Sequence, residues 1–325
     1  MQSLNQGIKN QAEDLLTHAE NEEKNNNWNG AIELLRKAEE LVLNKDLKEI
    51  EGRIYYRLGR NCHLAGDSAK EKESVLKNYQ VAIESYQKAK EIYEKLKIKE
   101  KISTLSGFIN VLTYLFGFGV GKELKLLESA KEFFKHAKLI YQQQGNFEDS
   151  VKMEIMETRA FSLFIGELTA RFDEKTDYKK IIPEFDELVI DIIEKLRKKP
   201  KLSDFYLHRF LVCMGYCFHW IGTYVSKDVL DVKKQLFDYL KRHEEIINII
   251  ESNSGYETYF EARFYAYAIF ASFSLIMGAY YAETQFAIKD LYKNAGKWHK
   301  KAESLLPRVK FNTSLSTFHT LRFSI

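Results

Sequence analysis

The sequence predicts an all-α protein, a solenoid of about six antiparallel helical hairpins. One spacing recurs four times: a large residue, alanine at +3, a second large residue at +7 and alanine at +10. It is carried by Trp28, Ala31, Leu35 and Ala38; by Tyr79, Ala82, Tyr86 and Ala89; by Leu127, Ala130, Phe134 and Ala137; and by Tyr292, Ala295, His299 and Ala302. Steps of three and four keep side chains on one helical face, and the small residues let a neighbouring helix approach. The 325 residues include only 3 Pro and 16 Gly, too few for a strand-and-turn architecture. Breaks near 25–27, 144–146 and 252–255 separate long stretches of helical periodicity, the arrangement expected of repeated units that stack on their neighbours.

In chain order, residues 8–24 form the first helix, with Ala12, Leu15, Leu16 and Ala19 on one face. Asn25, Asn26 and Asn27 break it, and Trp28 opens the second helix of a hairpin over 8–43. The second hairpin, 49–97, has Tyr55, Leu58, Gly59 and Cys62 on its first helix. Gly66 and Asp67 look like its turn, yet Tyr79 and Ala82 come late. The charged run at 69–74 therefore either lengthens the helices or forms an exposed loop. The third hairpin, 99–142, repeats the offset: Gly107 precedes Ala130 by 23 residues, as Gly59 precedes Ala82. Hairpins over 147–198, 203–250 and 256–306 follow. Pro183 falls near the start of a helix over 179–198. The expected organisation is one repeat domain over 1–307, with 308–325 as a C-terminal cap or tail.

These positions resemble the tetratricopeptide repeat family. Its small positions fall on Ala19, Ala31 and Ala38 and its large ones on Leu15, Trp28 and Leu35, while Pro307 stands where the family's terminal proline would lie. The signature alanines Ala31, Ala82 and Ala130 are 51 and 48 residues apart, so the repeat is an elongated version of the 34-residue unit. The resemblance implies a right-handed superhelix whose first helices line a concave groove for a peptide or protein partner.

Composition narrows the function. Lys+Arg number 49 against 46 Asp+Glu, a net charge of +3, which reads first as solvated helix faces. A nucleic-acid-binding solenoid, the first alternative, needs basic residues clustered along one surface. The three cysteines, Cys62, Cys213 and Cys217, suggest no disulfide framework, and the opening residues lack signal-peptide character, so a cytoplasmic location is expected. The apolar stretch 264–281 reads as a buried helix and not as a membrane span.

No motif for catalysis, metal or cofactor emerges, and none of the three is expected. Gly117, Gly119 and Gly121 do not complete a phosphate-binding loop, because Glu123 follows Lys122. Cys213 and Cys217 share a helical face, but His219 points elsewhere and His208 is three turns away from it. Cys62 and His63 are adjacent in sequence, which does not bring their side chains together. The pairs Glu154/Glu157 and Glu257/Glu261 read as solvated faces or inter-helix salt bridges. An enzyme with a site between helices is the second alternative.

The partner-binding candidates lie on first helices. Tyr206, Arg209, Tyr216 and Trp220 belong to the helix from 203, and Tyr259, Arg263, Tyr267 and Phe270 to that from 256. Tyr, Trp and Arg are favoured interface anchors, although any one ring alone reads first as hairpin core. Arg53, Arg57 and Asn61, with Asn110 from the third hairpin, are candidates for the carboxylate clamp that the family resemblance implies.

Overall fold

The computed structural model describes residues 2–116, 123–170, 178–224, 232–280 and 284–310. The described residues contain twelve α-helices and no strand. They are α1 (Gln2–Lys24), α2 (Trp28–Val42), α3 (Lys48–Ser68), α4 (Lys72–Leu96), α5 (Lys99–Phe116) and α6 (Leu124–Gln143), then α7 (Phe147–Ala170), α8 (Tyr178–Leu196), α9 (Asp204–Tyr224), α10 (Val232–Ser252), α11 (Phe260–Tyr280) and α12 (Gln285–Leu305). The chain divides into two compact units, residues 1–140 and 141–325. The glycine-rich turn at 117–121, the segment 173–177 and the tail beyond 310 lie outside the described residues.

Local chemistry sets the helix ends. The Asn27 side chain accepts from the Gly30 amide at 3.3 Å and starts α2, and Thr284 accepts from Ala287 at 3.1 Å to start α12. Lys97, at φ 59°, ends α4 in the left-handed conformation. Pro183 is the sixth residue of α8, which begins at Tyr178, one residue before the expected start, so it stands near the helix start as the sequence placed it. Pro307 belongs to a 3-10 turn, Leu306–Arg308, that closes the last hairpin.

The first unit is built on the alanine signature. Ala31, Ala38, Ala82, Ala89, Ala130 and Ala137 are all fully buried, as are Leu35 and Phe134, with Tyr86 nearly so. The charged run at 69–74 is divided: α3 continues to Ser68, residues 69–71 form a short, largely exposed connection, and α4 begins at Lys72. This long hairpin interlocks through a register of glycine against tyrosine. Gly52, Gly59 and Gly66 recur every seven residues on α3 and face Tyr93, Tyr86 and Tyr79 on the antiparallel α4. A Cβ on Gly59 would lie 2.5 Å from the Tyr86 ring, and one on Gly66 2.5 Å from Tyr79. Gly107 of α5 repeats the device against Phe134 of α6, at 2.6 Å. Tyr86 in turn stacks on Phe108, ring centres 5.4 Å apart, so hairpin packing continues into the next first helix.

The second unit places α7, α9 and α11 side by side, with α8, α10 and α12 as their hairpin partners. Its core includes Phe161, Phe185, Phe210, Leu211, Phe264 and Ile246. The helix α11 satisfies the length and apolarity of a membrane span, but most of its surface is buried against α9, α10 and α12. Of the fourth signature, Ala295 and Ala302 are buried, whereas Tyr292 is 45% exposed.

First-turn acids tie successive first helices of this unit together. Glu148 of α7 accepts from the Lys201 amide just before α9, at 3.3 Å. Asp204, the first residue of α9, accepts from the Glu261 and Ala262 amides of α11 at 3.1 and 2.9 Å. Glu261 accepts from the Lys310 amide that follows α12. Tyr256 and Tyr259 add bonds to the carbonyls of Pro200 and Leu202. Each carboxylate thus satisfies amides that a helix start leaves without intrahelical partners, or an amide in a connecting segment.

Candidate partner-binding surface

In the first unit, the candidates on α3 meet α1. Arg53 pairs with Glu13 at 2.7 Å at the surface. Arg57 donates from Nε and Nη2 to one oxygen of Glu23, at 3.0 and 2.9 Å, and from Nη1 to the Leu16 carbonyl. Asn61 donates to the same Glu23 oxygen at 2.7 Å and is fully buried. These three side chains form a carboxylate-gripping arrangement, and the gripped carboxylates come from the neighbouring helix of the same chain. Asn110, on α5, is half-buried. A shallow groove of about 560 Å³, lined by Lys72, Leu76, Lys77, Gln80 and Phe116, opens at the start of α4.

In the second unit, Tyr206, Tyr267 and Phe270 are buried. Tyr267 stacks on Trp298 with ring centres 5.3 Å apart, and Phe270 meets the same indole edge-on at 5.8 Å. Arg263 donates to the Glu257 carbonyl at 2.9 Å and to the Tyr267 hydroxyl at 3.3 Å. The Tyr267 hydroxyl donates to Glu251 at 2.9 Å, and Lys301 reaches the same carboxylate at 2.5 Å. Burial pushes the Glu251 carboxyl up, but the bonds from Lys301 and Tyr267 outweigh it and hold the group below its ordinary range. Tyr259 is half-buried and bonded to Leu202. Arg209 is buried, its guanidinium 5.0 Å from the centre of the Phe205 ring. Tyr216 is 41% exposed on α9. Trp220 lies on the same helix, but its side chain, like those of Cys217 and His219, falls outside the described residues.

The titratable groups carry little reactive chemistry. Burial pushes the Cys62 thiol up to about 11, and burial likewise raises Cys213, against the pull of Arg159 and Arg209. Neither thiol is activated as a nucleophile would be. His208 is fully buried and held well below its usual range, first by desolvation and then by Arg209 and Arg159, so it is neutral. His243 titrates at about 4 for the same first reason, despite its bond to the Ala266 carbonyl. Among the described residues no group of three or more His, Cys, Asp or Glu side chains is placed to hold a metal ion. Glu154 and Glu157 are buried, not solvated, and Glu154 makes an inter-helix salt bridge to Lys195 at 2.6 Å. Glu261 is buried while its expected companion Glu257 is exposed.

Sequence reasoning missed the roles of Glu148, Asp204 and Glu261. Acids in first turns were the available signal, but their amide partners lie about fifty residues away, where no helical spacing points.

No family model and no curated protein matches this chain. Among solved structures, it is similar to a circular tandem repeat protein with a novel repeat topology, at 12% identity, over 99% of this chain and 74% of that one, with a TM-score of 0.37. It is also similar to Nro1, a hypoxic regulator of sterol synthesis described as a nuclear import adaptor. That match has 11% identity, covers 98% of this chain and 94% of the other, and has a TM-score of 0.44.

Proposed function

We propose that this protein is a non-catalytic scaffold of tetratricopeptide-like hairpins that holds a peptide or protein partner on its first helices. The observation that carries this reading is the side-by-side packing of α7, α9 and α11, with α1 against α3 in the first unit. Within each unit one helix per hairpin packs against its counterpart, the arrangement by which repeat proteins build extended binding surfaces. Tyr216 and Arg53 supply exposed aromatic and cationic surface on such helices, and Asn110 is half-buried on α5.

The test is capture of partners from native lysate on immobilised full-length protein, with nuclease-treated and untreated arms analysed by mass spectrometry. A protein partner that survives nuclease and is lost on Tyr216→Ala or Arg53→Glu supports the reading. Recovery of nucleic acid with no protein partner would sink it.

A further inference from the structure

Between α7 and α9 lies a cation that the scaffold reading does not use. Arg159 is 8% exposed, and its Nη1 has no hydrogen-bond partner. Its guanidinium carbon stands 5.6 Å from the centre of the Tyr216 ring, and its charge acts on the nearby Cys213 thiol, lowering it against burial. Neither neighbour neutralises it, since the thiol is protonated and donates to the Arg209 carbonyl at 3.0 Å. Arg209 adds a second buried guanidinium close enough to act on the same His208 and Cys213. The buried carboxylates nearby in sequence do not answer this charge. Glu154 takes Lys195, and Glu157 stands two residues before Arg159, a helical spacing that does not bring two side chains face to face. A guanidinium taken out of water without an anion is strongly unfavourable, and its planar fork matches a carboxylate or phosphate group.

We propose that Arg159 is the centre of an oxyanion-binding site in the second unit, with Tyr216 as its outer wall. Tyr216 is the half-exposed group beside the guanidinium and therefore marks the side from which the anion arrives. The site takes one carboxylate or phosphate group; it shares Tyr216 with the proposed partner-binding face, but its anion response is read without any partner.

The experiment follows thermal unfolding of full-length protein in sodium phosphate, sodium acetate and sodium chloride, matched in ionic strength and pH. Wild type is expected to gain a saturating rise of about 2–4 °C in phosphate or acetate over chloride. Arg159→Met, which keeps the length without the charge, is expected to melt higher than wild type in chloride and to lose the saturating rise. A response confined to phosphate assigns the site to phosphoryl groups, and one confined to acetate assigns it to carboxylates. Equal responses in wild type and Arg159→Met reflect general salt exclusion and overturn the proposal, as does no response in wild type. Should Arg159→Met not fold, Tyr216→Ala decides. Loss of the ring is expected to raise the half-saturating anion concentration about threefold, and an unchanged value overturns the site.

Discussion

Replacing Gly59 by alanine sets two effects of opposite sign against each other. In a helix interior the change is ordinarily favourable by about 1 kcal/mol. At Gly59 the new methyl would sit 2.5, 2.7 and 2.9 Å from three atoms of the Tyr86 ring. Tyr86 is 1% exposed and stacked on Phe108, which itself meets Phe134 edge-on at 5.3 Å. The ring cannot retreat without moving two more buried aromatics. Overpacking of this kind costs about 1–3 kcal/mol, and a pinned ring belongs at the upper end. The net expectation is a loss of about 2 kcal/mol, which at a slope of about 3 kcal/mol per M is a urea midpoint lower by roughly 0.7 M. Gly296 of α12, where an added methyl meets nothing within 4 Å, is the internal control, and its alanine variant should gain about 1 kcal/mol. Circular dichroism at increasing urea reads both. A Gly59→Ala protein as stable as wild type would refute the interlocking register.

Other consequences are equally open to measurement. Burial pushes Asp204 up to about 7, with the Glu261 charge raising it further against two amide bonds that lower it. The native state therefore keeps a proton that the unfolded chain has released, so stability is greatest below the ordinary carboxylate range and declines as pH rises through 7. The decline is on the order of 4 kcal/mol at most, and melting curves from pH 4 to 8 should show it in wild type and a flatter profile in Asp204→Asn. Lys195→Met strips the buried Glu154 of its ammonium partner and should cost about 3 kcal/mol. Glu245→Gln, which breaks the exposed pair with Arg197, should leave the midpoint in the same denaturation assay almost unchanged.

The hairpins were legible because their contacts are short in sequence. Alanines at +3 and +10 mark a buried stripe whatever surrounds them, and Gly59 and Gly107 stand at matching distances from Ala82 and Ala130. How the charged run at 69–74 divides between connection and helix was not legible, since Lys and Glu suit a long helix and an exposed loop alike. The second unit resisted for a different reason. Along α11 apolar and aromatic residues surround the helix, so no polar stripe separates a ring turned inward, such as Phe270, from one free to meet a partner. Arg53, Arg57 and Asn61 stand as candidates to grip a partner's acid because nothing in their spacing reveals that Glu13 and Glu23 of α1 lie opposite α3.

The carboxylate at the start of α9 has a consequence beyond its own bonds. Asp204 is out of water only while the start of α11 covers it. If the final hairpin swung away, the acid would be rehydrated and would give up its proton near neutral pH. The titration of one side chain therefore serves as a built-in gauge of docking, readable from its carboxyl infrared band without any attached probe. It would distinguish a solenoid that opens at one joint from one that unravels along its whole length.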